Sequence, residues 1–431
     1  MTPVPLLRKD IMRYDFDSYL LYEVTASSLY TAKAMVELNT LVRGEVLRES
    51  AQKAFRRFPY FSRMVRTDED GAFVLEPCEG PICVFEEGEQ VVLGTEQTNG
   101  LLFAITYGES TVYFNFCHNF CGGSGAMPWI KSTLWQYLTD EGYVIDPEGI
   151  LTPDSPIPPE ETAVPDPASF PQEEVIGQYK GGDSYVPIKD YVPYLVSPSR
   201  GGQVFYPITI DKADLMKYAR ANDGSPNSIL SAAMFRMCSR VFPKAKQISA
   251  GIVCNYRKDV GCPETYRDLV RVLHARYLPT MKDWPIEKLS TVTRGSMYLQ
   301  MQPEISRETY RQVSAYREKI DEIHGRMFKT AYALKNSPLR AGVKDTFNVS
   351  YVGNVDWGGL SEYIEELYSL TEGHLFLEVN SAREKFCIAF QVLNRDERFI
   401  NEFVKVLTEE GIPYELGEMT ESRLPQISLG E

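Results

Sequence analysis

The sequence predicts an α/β protein built from two lobes of similar plan. The chain has 431 residues, which at about 100–200 residues per domain favours more than one domain. Helix-like and strand-like segments alternate in both halves. Between the halves, residues 151–171 contain seven prolines and follow neither the helical nor the strand period, so they predict an extended connection. We assign residues 1–175 to the N-terminal lobe with this linker at its end, and residues 176–431 to the C-terminal lobe.

The first half is predicted to begin with two helices, followed by a sheet. Apolar residues recur at helical spacing over residues 28–42 and again over residues 44–58, where Pro59 ends the pattern. Three short runs rich in β-branched and aromatic residues then predict consecutive strands. These runs are VFEEGEQVVL, LLFAITYGE and STVYFNFCH. Residues 128–140 return to the 3.6-residue period, so a helix follows the last strand.

The second half repeats the same kinds of element. The strand QVFYPITI precedes a helix that begins after Asp211 and a second helix that begins at Ser225 and Pro226, which are residue types that favour a helix N-terminus. The pattern then predicts a buried strand, a long helical stretch over about 303–334, three strands and a terminal helix. The buried strand is QISAGIVCNYR, and the three later strands are DTFNVSYVGNV, HLFLEVNSA and KFCIAFQVL. The terminal helix is RDERFINEFVKVLTEE.

Charge and composition disfavour several classes of partner. The chain has 45 Lys and Arg against 59 Asp and Glu, a net charge of −14, and no basic stripe of the kind that binds phosphates, so we expect no nucleic-acid partner. It has neither a run of about 18 apolar residues nor a signal-peptide pattern, and we expect a cytoplasmic protein with no membrane span. Scattered cysteines are typical of reduced thiols. They are Cys78, Cys83, Cys117, Cys121, Cys238, Cys254, Cys262 and Cys387.

Of the four histidines, His118 is the strongest candidate for chemistry. His274 and His324 lie in helical patterns, and His374 opens a strand after a turn, so we expect structural roles for these three. His118 ends a buried strand and precedes a glycine-rich loop whose backbone amides can approach a ligand closely. A neutral imidazole there can accept a proton from a hydroxyl or amine while nearby amides stabilise an oxyanion. A strand-end histidine satisfied by backbone is the structural alternative.

Three other chemistries fit this loop poorly. Cys117, His118 and Cys121 lack a fourth metal ligand nearby, so we expect no metal site. Ser124 lies between a strand and a helix, but the Gly-x-Ser-x-Gly pattern of serine hydrolases is incomplete around it. The glycine run is not followed by Gly-Lys-Ser/Thr, so a phosphate-binding loop is not indicated.

The loop text CHNFCGG, residues 117–123, resembles the His-His-x-x-x-Asp-Gly signature of one enzyme superfamily. This superfamily comprises chloramphenicol acetyltransferases, nonribosomal peptide condensation domains and alcohol acetyltransferases. His118 matches the second, catalytic histidine, and Gly123 matches the final glycine. Cys117 replaces the first histidine and Gly122 replaces the aspartate. The resemblance in layout extends over about residues 1–415.

Other segments support the resemblance. LRESAQKAFRRFPYFSRMVR is similar to an early helix of the superfamily that ends in an Arg-Phe-Pro turn. GIVCNYRKDVG is similar to a strand ending in Asn-x-Arg, which places Asn255 and Arg257 at an interlobe brace. VSYVGNVDWGG is similar to a late strand and loop that face the active site. We therefore expect the tunnel wall or interlobe surface to include Ser350, Tyr351, Asn354 and Asp356, and the oxyanion loop to include Gly122, Gly123 and Ser124.

The resemblance implies a V-shaped pseudo-dimer of two chloramphenicol-acetyltransferase-like lobes, each a mixed sheet with helices, with a tunnel between them. His118 is then the general base at mid-tunnel. The donor is a thioester, either acyl-CoA or the phosphopantetheine of an acyl or peptidyl carrier protein, and the acceptor is a small molecule with a hydroxyl or amine. Transfer is direct, without an acyl-enzyme or a tightly bound cofactor. We expect a monomer.

The missing aspartate leaves a second function open. In the superfamily this carboxylate pairs with an arginine and holds the histidine loop, so Gly122 removes a brace. Asp356 or a backbone carbonyl is the expected replacement, because fixing the imidazole tautomer needs only an acceptor at one ring nitrogen. The alternative function is a non-catalytic, condensation-like protein that binds an acylated carrier or another partner.

Overall fold

The computed structural model describes residues 17–24, 30–172, 202–337, 345–393 and 395–429. The helices are α1 (Gly44–Phe55), α2 (Gly123–Asp140), α3 (Lys212–Ala221), α4 (Pro226–Val241), α5 (Ile286–Gln300), α6 (Pro303–Glu322), α7 (Arg326–Asn336) and α8 (Glu397–Glu409). The first seven strands are β1 (Thr31–Leu38), β2 (Arg63–Thr67), β3 (Phe73–Pro77), β4 (Cys83–Glu86), β5 (Val92–Leu93), β6 (Phe103–Tyr107) and β7 (Thr111–Cys117). The others are β8 (Gln203–Asp211), β9 (Ile248–Asn255), β10 (Val270–Tyr277), β11 (Phe347–Tyr351), β12 (Ile364–Thr371), β13 (Leu375–Ala382), β14 (Lys385–Leu393), β15 (Glu415–Leu416), β16 (Thr420–Glu421) and β17 (Gln426–Ile427).

The described residues form two large mixed sheets, each with its own core. The first has five strands in the order β12-β1-β7-β6-β4, and α1 and α2 pack together beside it. The second has eight strands in the order β10-β9-β11-β13-β14-β8-β15, with β16 also paired to β8, and α4, α5 and α8 pack against its core. Strand pairs β4-β6, β9-β11 and β11-β13 are parallel. His118 follows β7, a central strand of the first sheet.

The lobes do not divide at a single point in the chain. Strand β12 comes from the second half of the chain but pairs with β1 in the first sheet. Residues Tyr310 and Tyr316 of α6 belong to the core of that same lobe, and β17 pairs with β5. The predicted boundary between residues 175 and 176 lies outside the described residues. Parts of residues 176–431 therefore belong to the first lobe. The clearest case is β12, which completes the first sheet by hydrogen bonding to β1.

Most of the predicted elements are confirmed. Helix α1 ends before Pro59, β6 and β7 follow as consecutive strands, and α2 begins directly after the glycine-rich loop. Helix α4 is capped as expected, since Ser225 accepts a hydrogen bond from the backbone of Ser228 and Pro226 occupies the first turn. The long stretch over 303–334 is two helices, α6 and α7, separated by Gly325 at a φ of 80°.

Two helical predictions are wrong, and both segments are strands. Residues 28–42 contain β1, in which Ala34, Val36 and Leu38 are buried and the residues between them are partly exposed. This period of two buries one face of a strand against the core. The segment around His274 is β10, which pairs along its whole length with β9. Sheet pairing therefore overrides the helical spacing in both segments.

The proline-rich linker is extended with two short 3-10 turns, Pro159–Thr162 and Pro167–Ser169. It contacts the first lobe on one side and the loop between β9 and β10 on the other. Glu161 forms a buried two-bond ion pair with Arg57, at 2.6 and 2.9 Å. The backbone oxygen of Glu161 also accepts a hydrogen bond from the Tyr266 backbone at 2.8 Å, and Ala163 accepts one from the Thr265 hydroxyl at 2.9 Å. The linker thus ties the first lobe to the loop between β9 and β10.

The cysteines form no disulfide, and six of the eight are buried in the two cores. Among the described residues, none of the helices combines the length and apolar character needed to cross a bilayer.

We expect Glu161→Ala to lower the free energy of unfolding by about 3–5 kcal/mol, because it leaves the Arg57 guanidinium, 1% exposed, buried without its partner. Urea unfolding followed by circular dichroism measures this loss. Glu76→Ala is the matched control, since Glu76 faces Arg66 at 4.0 Å in an exposed pair that contributes about 0–1 kcal/mol. Equal losses in the two variants would contradict an anchoring role for Glu161.

Candidate active site

A cavity of about 910 Å³ lies between the two sheets, and His118 lines it. The first sheet contributes β1 and the end of β7 to its wall, and the second contributes β9, β11 and β13. The loop from His118 to Ser124, which leads into α2, lines the same space. The cavity is large enough for a small molecule, and it is concave and lined mainly by apolar atoms, as ligand sites usually are.

His118 is held by one contact of its backbone and one of its ring. Its backbone N–H donates to the Tyr30 carbonyl at 2.7 Å, which pairs the end of β7 with the start of β1. Its ring Nδ1 lies 3.3 Å from Oδ2 of Asp268, a residue just before β10 in the second sheet. The His118 and Asp268 side chains are 28% and 14% exposed. With Nδ1 engaged by the carboxylate, Nε2 is the ring nitrogen left for a substrate.

The electrostatic setting makes this imidazole more basic than usual. Burial lowers the pKa of His118, but the charge and hydrogen bond of Asp268 and the charge of Glu378 outweigh it. Arg257 acts in the same direction as burial. The net result is a pKa above the ordinary value of 6.5. The imidazole therefore binds a proton more tightly than an unperturbed histidine does.

Two glycines of the loop allow the second lobe to approach His118. A Cβ at Gly122 would lie 2.6 Å from Oδ1 of Asp268, so any side chain there would meet the carboxylate. A Cβ at Gly125 would lie 2.0 Å from the carbonyl oxygen of Tyr266. Asp268 therefore lies in the space that a side chain at position 122 would occupy. The carboxylate missing from the loop is supplied at the same place by another part of the chain.

Buried hydrogen bonds hold the loop that carries Asp268. Arg257, 3% exposed, donates from Nε to the Thr265 carbonyl at 2.8 Å and from Nη2 to the Tyr266 and Arg267 carbonyls. Arg267 in turn pairs with Asp17 and donates to the linker carbonyl of Thr162 at 3.1 Å. These buried contacts fix the three residues immediately before Asp268, and so fix its carboxylate.

The other predicted site residues fall into three groups. Gly122, Gly123, Ser124, Asn255, Ser350 and Tyr351 line the cavity with His118. Asn354 and Asp356 line a second cavity of about 620 Å³, which shares Ser124, Met127 and Val352 with the first. Arg257 lines neither cavity, and its guanidinium donates to the backbone carbonyls of residues 265–267.

The expectation that Asp356 replaces the missing carboxylate is wrong. Its Oδ1 accepts a hydrogen bond from the Gly358 backbone at 2.9 Å, so it stabilises its own turn. The carboxylate on the His118 ring belongs to Asp268, which sequence reasoning missed because Asp268 stands in no motif. It also missed Glu378, a buried carboxyl on β13 that faces the same cavity. A lone acidic residue in the strand pattern HLFLEVNSA is the one signal in the sequence that points to Glu378.

The cysteines beside His118 are poor candidates for chemistry. Cys117 and Cys121 are fully buried. Burial raises the pKa of Cys117 to about 12 and that of Cys121 well above its ordinary value, so both are neutral thiols at pH 7. Within the described ranges, no group of three or more His, Cys, Asp or Glu side chains is arranged to hold a metal ion.

Comparison with solved structures identifies the fold. No family model and no curated protein matches the sequence. The first condensation domain of the calcium-dependent antibiotic synthetase, solved with a substrate analogue, superposes with a TM-score of 0.55 at 13% identity, over 92% of this chain and 95% of that chain. The trichothecene 15-O-acetyltransferase TRI3 from Fusarium sporotrichioides has a TM-score of 0.55 at 12% identity, over 92% and 93%. TRI101 from F. graminearum, complexed with coenzyme A and T-2 mycotoxin, has a TM-score of 0.57 at 11% identity, over 92% and 98%.

The chain has the chloramphenicol acetyltransferase-like fold. The predicted fold class is confirmed, since the matches to these two-lobed condensation and acetyltransferase structures extend over almost the whole chain. In this acetyltransferase-like fold, His118 lies where the two lobes meet.

We expect Asp268→Asn to lower the pKa of His118, because the substitution removes the negative charge at 3.3 Å that stabilises the imidazolium. The chain has four histidines, so a pH titration of ¹³C-labelled histidine by NMR resolves each ring. Asp259→Asn, in the same connection between β9 and β10, is the control and leaves the His118 titration in place. An unchanged His118 pKa in Asp268→Asn would show that the two side chains do not interact in solution.

A glycine pair tests the same geometry from the other side. Gly122→Ala places a methyl group against Oδ1 of Asp268 and should also displace the His118 titration. Gly123→Ala adds a methyl group with no atom within 4 Å and should leave the titration unchanged. The same response in both variants would contradict the close approach of Asp268 to Gly122.

Proposed function

We propose that this protein transfers an acyl group from a thioester to a hydroxyl or amine, with His118 as the general base. The observation that carries this proposal is the His118 and Asp268 pair, which holds Nδ1 and leaves Nε2 for a substrate in the interlobe cavity. The fold shared with acetyltransferases and condensation domains supports the same class of reaction.

The reaction needs one proton to move twice. Nε2 of His118 accepts the proton of the acceptor hydroxyl or amine as the acceptor atom attacks the thioester carbonyl carbon. A tetrahedral intermediate with one oxyanion forms, the carbon–sulfur bond then breaks, and the imidazolium returns the proton to the leaving thiolate sulfur. The products are the acylated acceptor and a free thiol. Asp268 stabilises the imidazolium that exists between the two transfers.

The N-terminus of α2 is placed to stabilise the oxyanion. Gly122 caps this helix, and its carbonyl accepts from the backbone N–H groups of Gly125 and Ala126. The N–H groups of Gly123 and Ser124 begin the helix, where backbone donors have no partner inside the helix, and both residues line the cavity. Amides at such a position favour negative charge. We assign the oxyanion contacts to Gly123 and Ser124.

In this proposal the two cavities give the two reactants separate routes to His118. The larger cavity and the second cavity share Ser124, Met127 and Val352, which lie beside the histidine loop. A thioester donor and an acceptor can thus reach one base from different sides, which brings both reactants together. Acyl-CoA or a carrier-bound phosphopantetheine thioester serves as co-substrate in this arrangement, and the acyl group needs no covalent attachment to the protein.

We expect His118→Ala to lower turnover by about 10²–10⁴-fold, the usual contribution of a general base, while the fold is retained. The assay measures thiol release from a panel of acyl-CoA donors with pooled alcohols and amines. His324→Ala is the matched control, because His324 is exposed in the break between α6 and α7. Full activity in His118→Ala would overturn the proposed role of His118.

The rate is expected to fall as the pH falls through the His118 pKa, because protonated imidazole cannot accept a proton. Since Asp268 holds that pKa above 6.5, the acidic limb of the kcat/KM profile lies above pH 6.5 in the wild type. In Asp268→Asn the limb moves to lower pH, while the maximal rate decreases because the imidazolium loses its partner. Glu378 and Arg257 also act on this ring, and neither changes in the variant. An identical acidic limb in both proteins would contradict the assignment.

A further inference from the structure

A buried carboxyl faces His118 from the second lobe. Glu378 on β13 is 3% exposed and lines the interlobe cavity together with His118. It lies opposite Ser350 of the neighbouring parallel strand β11, and side chains at such paired positions project from the same face of a sheet. Its Oε1 accepts a hydrogen bond from the Thr371 hydroxyl of β12 at 2.9 Å. Glu378 is therefore held at the seam between the two sheets.

Glu378 is placed to exchange a proton near neutral pH. Burial raises its pKa to about 7, against the hydrogen bonds from Ser350 and Thr371 and the charge of His118, which lower it. In the part of the chain that the structure describes, no Lys or Arg forms an ion pair with Glu378. A carboxyl buried without a cation is costly, and carboxyls with strongly shifted pKa values are concentrated at functional sites.

The number of protons that must be removed distinguishes the two classes of acceptor. A hydroxyl is neutral at pH 7 and loses one proton on acylation, which His118 alone can accept. An alkylamine has a pKa near that of lysine, about 10.4, so at pH 7 only about one molecule in a thousand is neutral. An ammonium must lose one proton before it can attack and a second as the amide forms. A cavity for amine acylation therefore benefits from two bases.

We propose that Glu378 is the second base, which binds the acceptor as an ammonium and takes its first proton, so that the preferred acceptor class is a primary alkylamine. This inference rests on the acyl transfer proposed above. The ammonium gives one proton to the Glu378 carboxylate and becomes a neutral amine. The amine nitrogen attacks the thioester carbon, and His118 takes the second proton and passes it to the leaving sulfur. An amide and a thiol result, and Glu378 releases its proton to solvent.

The test compares amines with alcohols of the same carbon skeleton, hexylamine with hexanol and 2-phenylethylamine with 2-phenylethanol, using acetyl-CoA and hexanoyl-CoA as donors. The wild type should prefer the amine of each pair at pH 7. In Glu378→Gln, which keeps the shape but cannot accept the proton, the amine-to-alcohol ratio of kcat/KM should fall by at least tenfold and by no more than about 10³-fold, the scarcity of neutral amine. The deficit should shrink at pH 9, where more of the amine is neutral.

Ser369→Ala is the matched control, since Ser369 lines the same cavity on β12 and carries no acidic group. It should leave the amine-to-alcohol ratio unchanged. Two outcomes would overturn the role of Glu378 and leave the proposed function intact. In the first, alcohols are acylated in a reaction that depends on His118, and the wild type shows no preference for amines. In the second, Glu378→Gln lowers kcat/KM equally for amines and alcohols. No thiol release with any acceptor, either from these acyl-CoA donors or from the acetyl and hexanoyl thioesters of pantetheine, would overturn both.

Discussion

The contact between the His118 imidazole and the Asp268 carboxylate joins two loops from different sheets. The structure of each loop allows the two side chains to approach. On one side, Gly122 and Gly125 have no side chains at the two points where the other loop comes nearest, since a Cβ would lie 2.6 Å from Asp268 in the first case and 2.0 Å from Tyr266 in the second. On the other side, the carboxylate reaches Nδ1 at 3.3 Å. Larger residues at either glycine would separate the base from its charge partner.

The position of Asp268 depends in turn on buried polar contacts that pass through the linker. Arg257 binds the carbonyls of residues 265–267, and the linker binds the same residues through Glu161, Thr162 and Ala163. Breaking one of these contacts leaves a buried donor or acceptor unpaired, at a cost of about 1–3 kcal/mol. A loop with several such contacts has few alternative positions. The Asp268 carboxylate is thus held beside the His118 ring by the fold itself.

The sequence predicts the parts of this site that are local in the chain. The strand, glycine-rich loop and helix around His118 follow from residue periodicity and glycine placement, and the structure contains all three. The helical prediction for β1 fails because Ala32, Val36 and the residues around them satisfy a helical spacing as well as a strand alternation, and only pairing with β7 and β12 decides between them. Asp268 and Glu378 cannot be found in this way, because only the packing of the second lobe against the first brings them to the cavity that His118 lines. Asp356 lies near a motif, but its carboxylate is used by its own turn.

The carboxylate beside His118 comes from a different part of the chain than the aspartate of the superfamily signature. The superfamily signature carries its aspartate on the histidine loop itself, so its relation to the histidine is fixed by a few residues of one strand end. Here the charge beside His118 comes from the second lobe, and its distance depends on how the two lobes are seated. Electrostatic attraction weakens with distance, so the influence of Asp268 on the His118 pKa depends on how closely the two lobes pack. Glu378 also reaches the cavity from the second lobe. Both acidic groups that raise the His118 pKa therefore come from the second lobe, and the packing of the two lobes brings them to the same cavity.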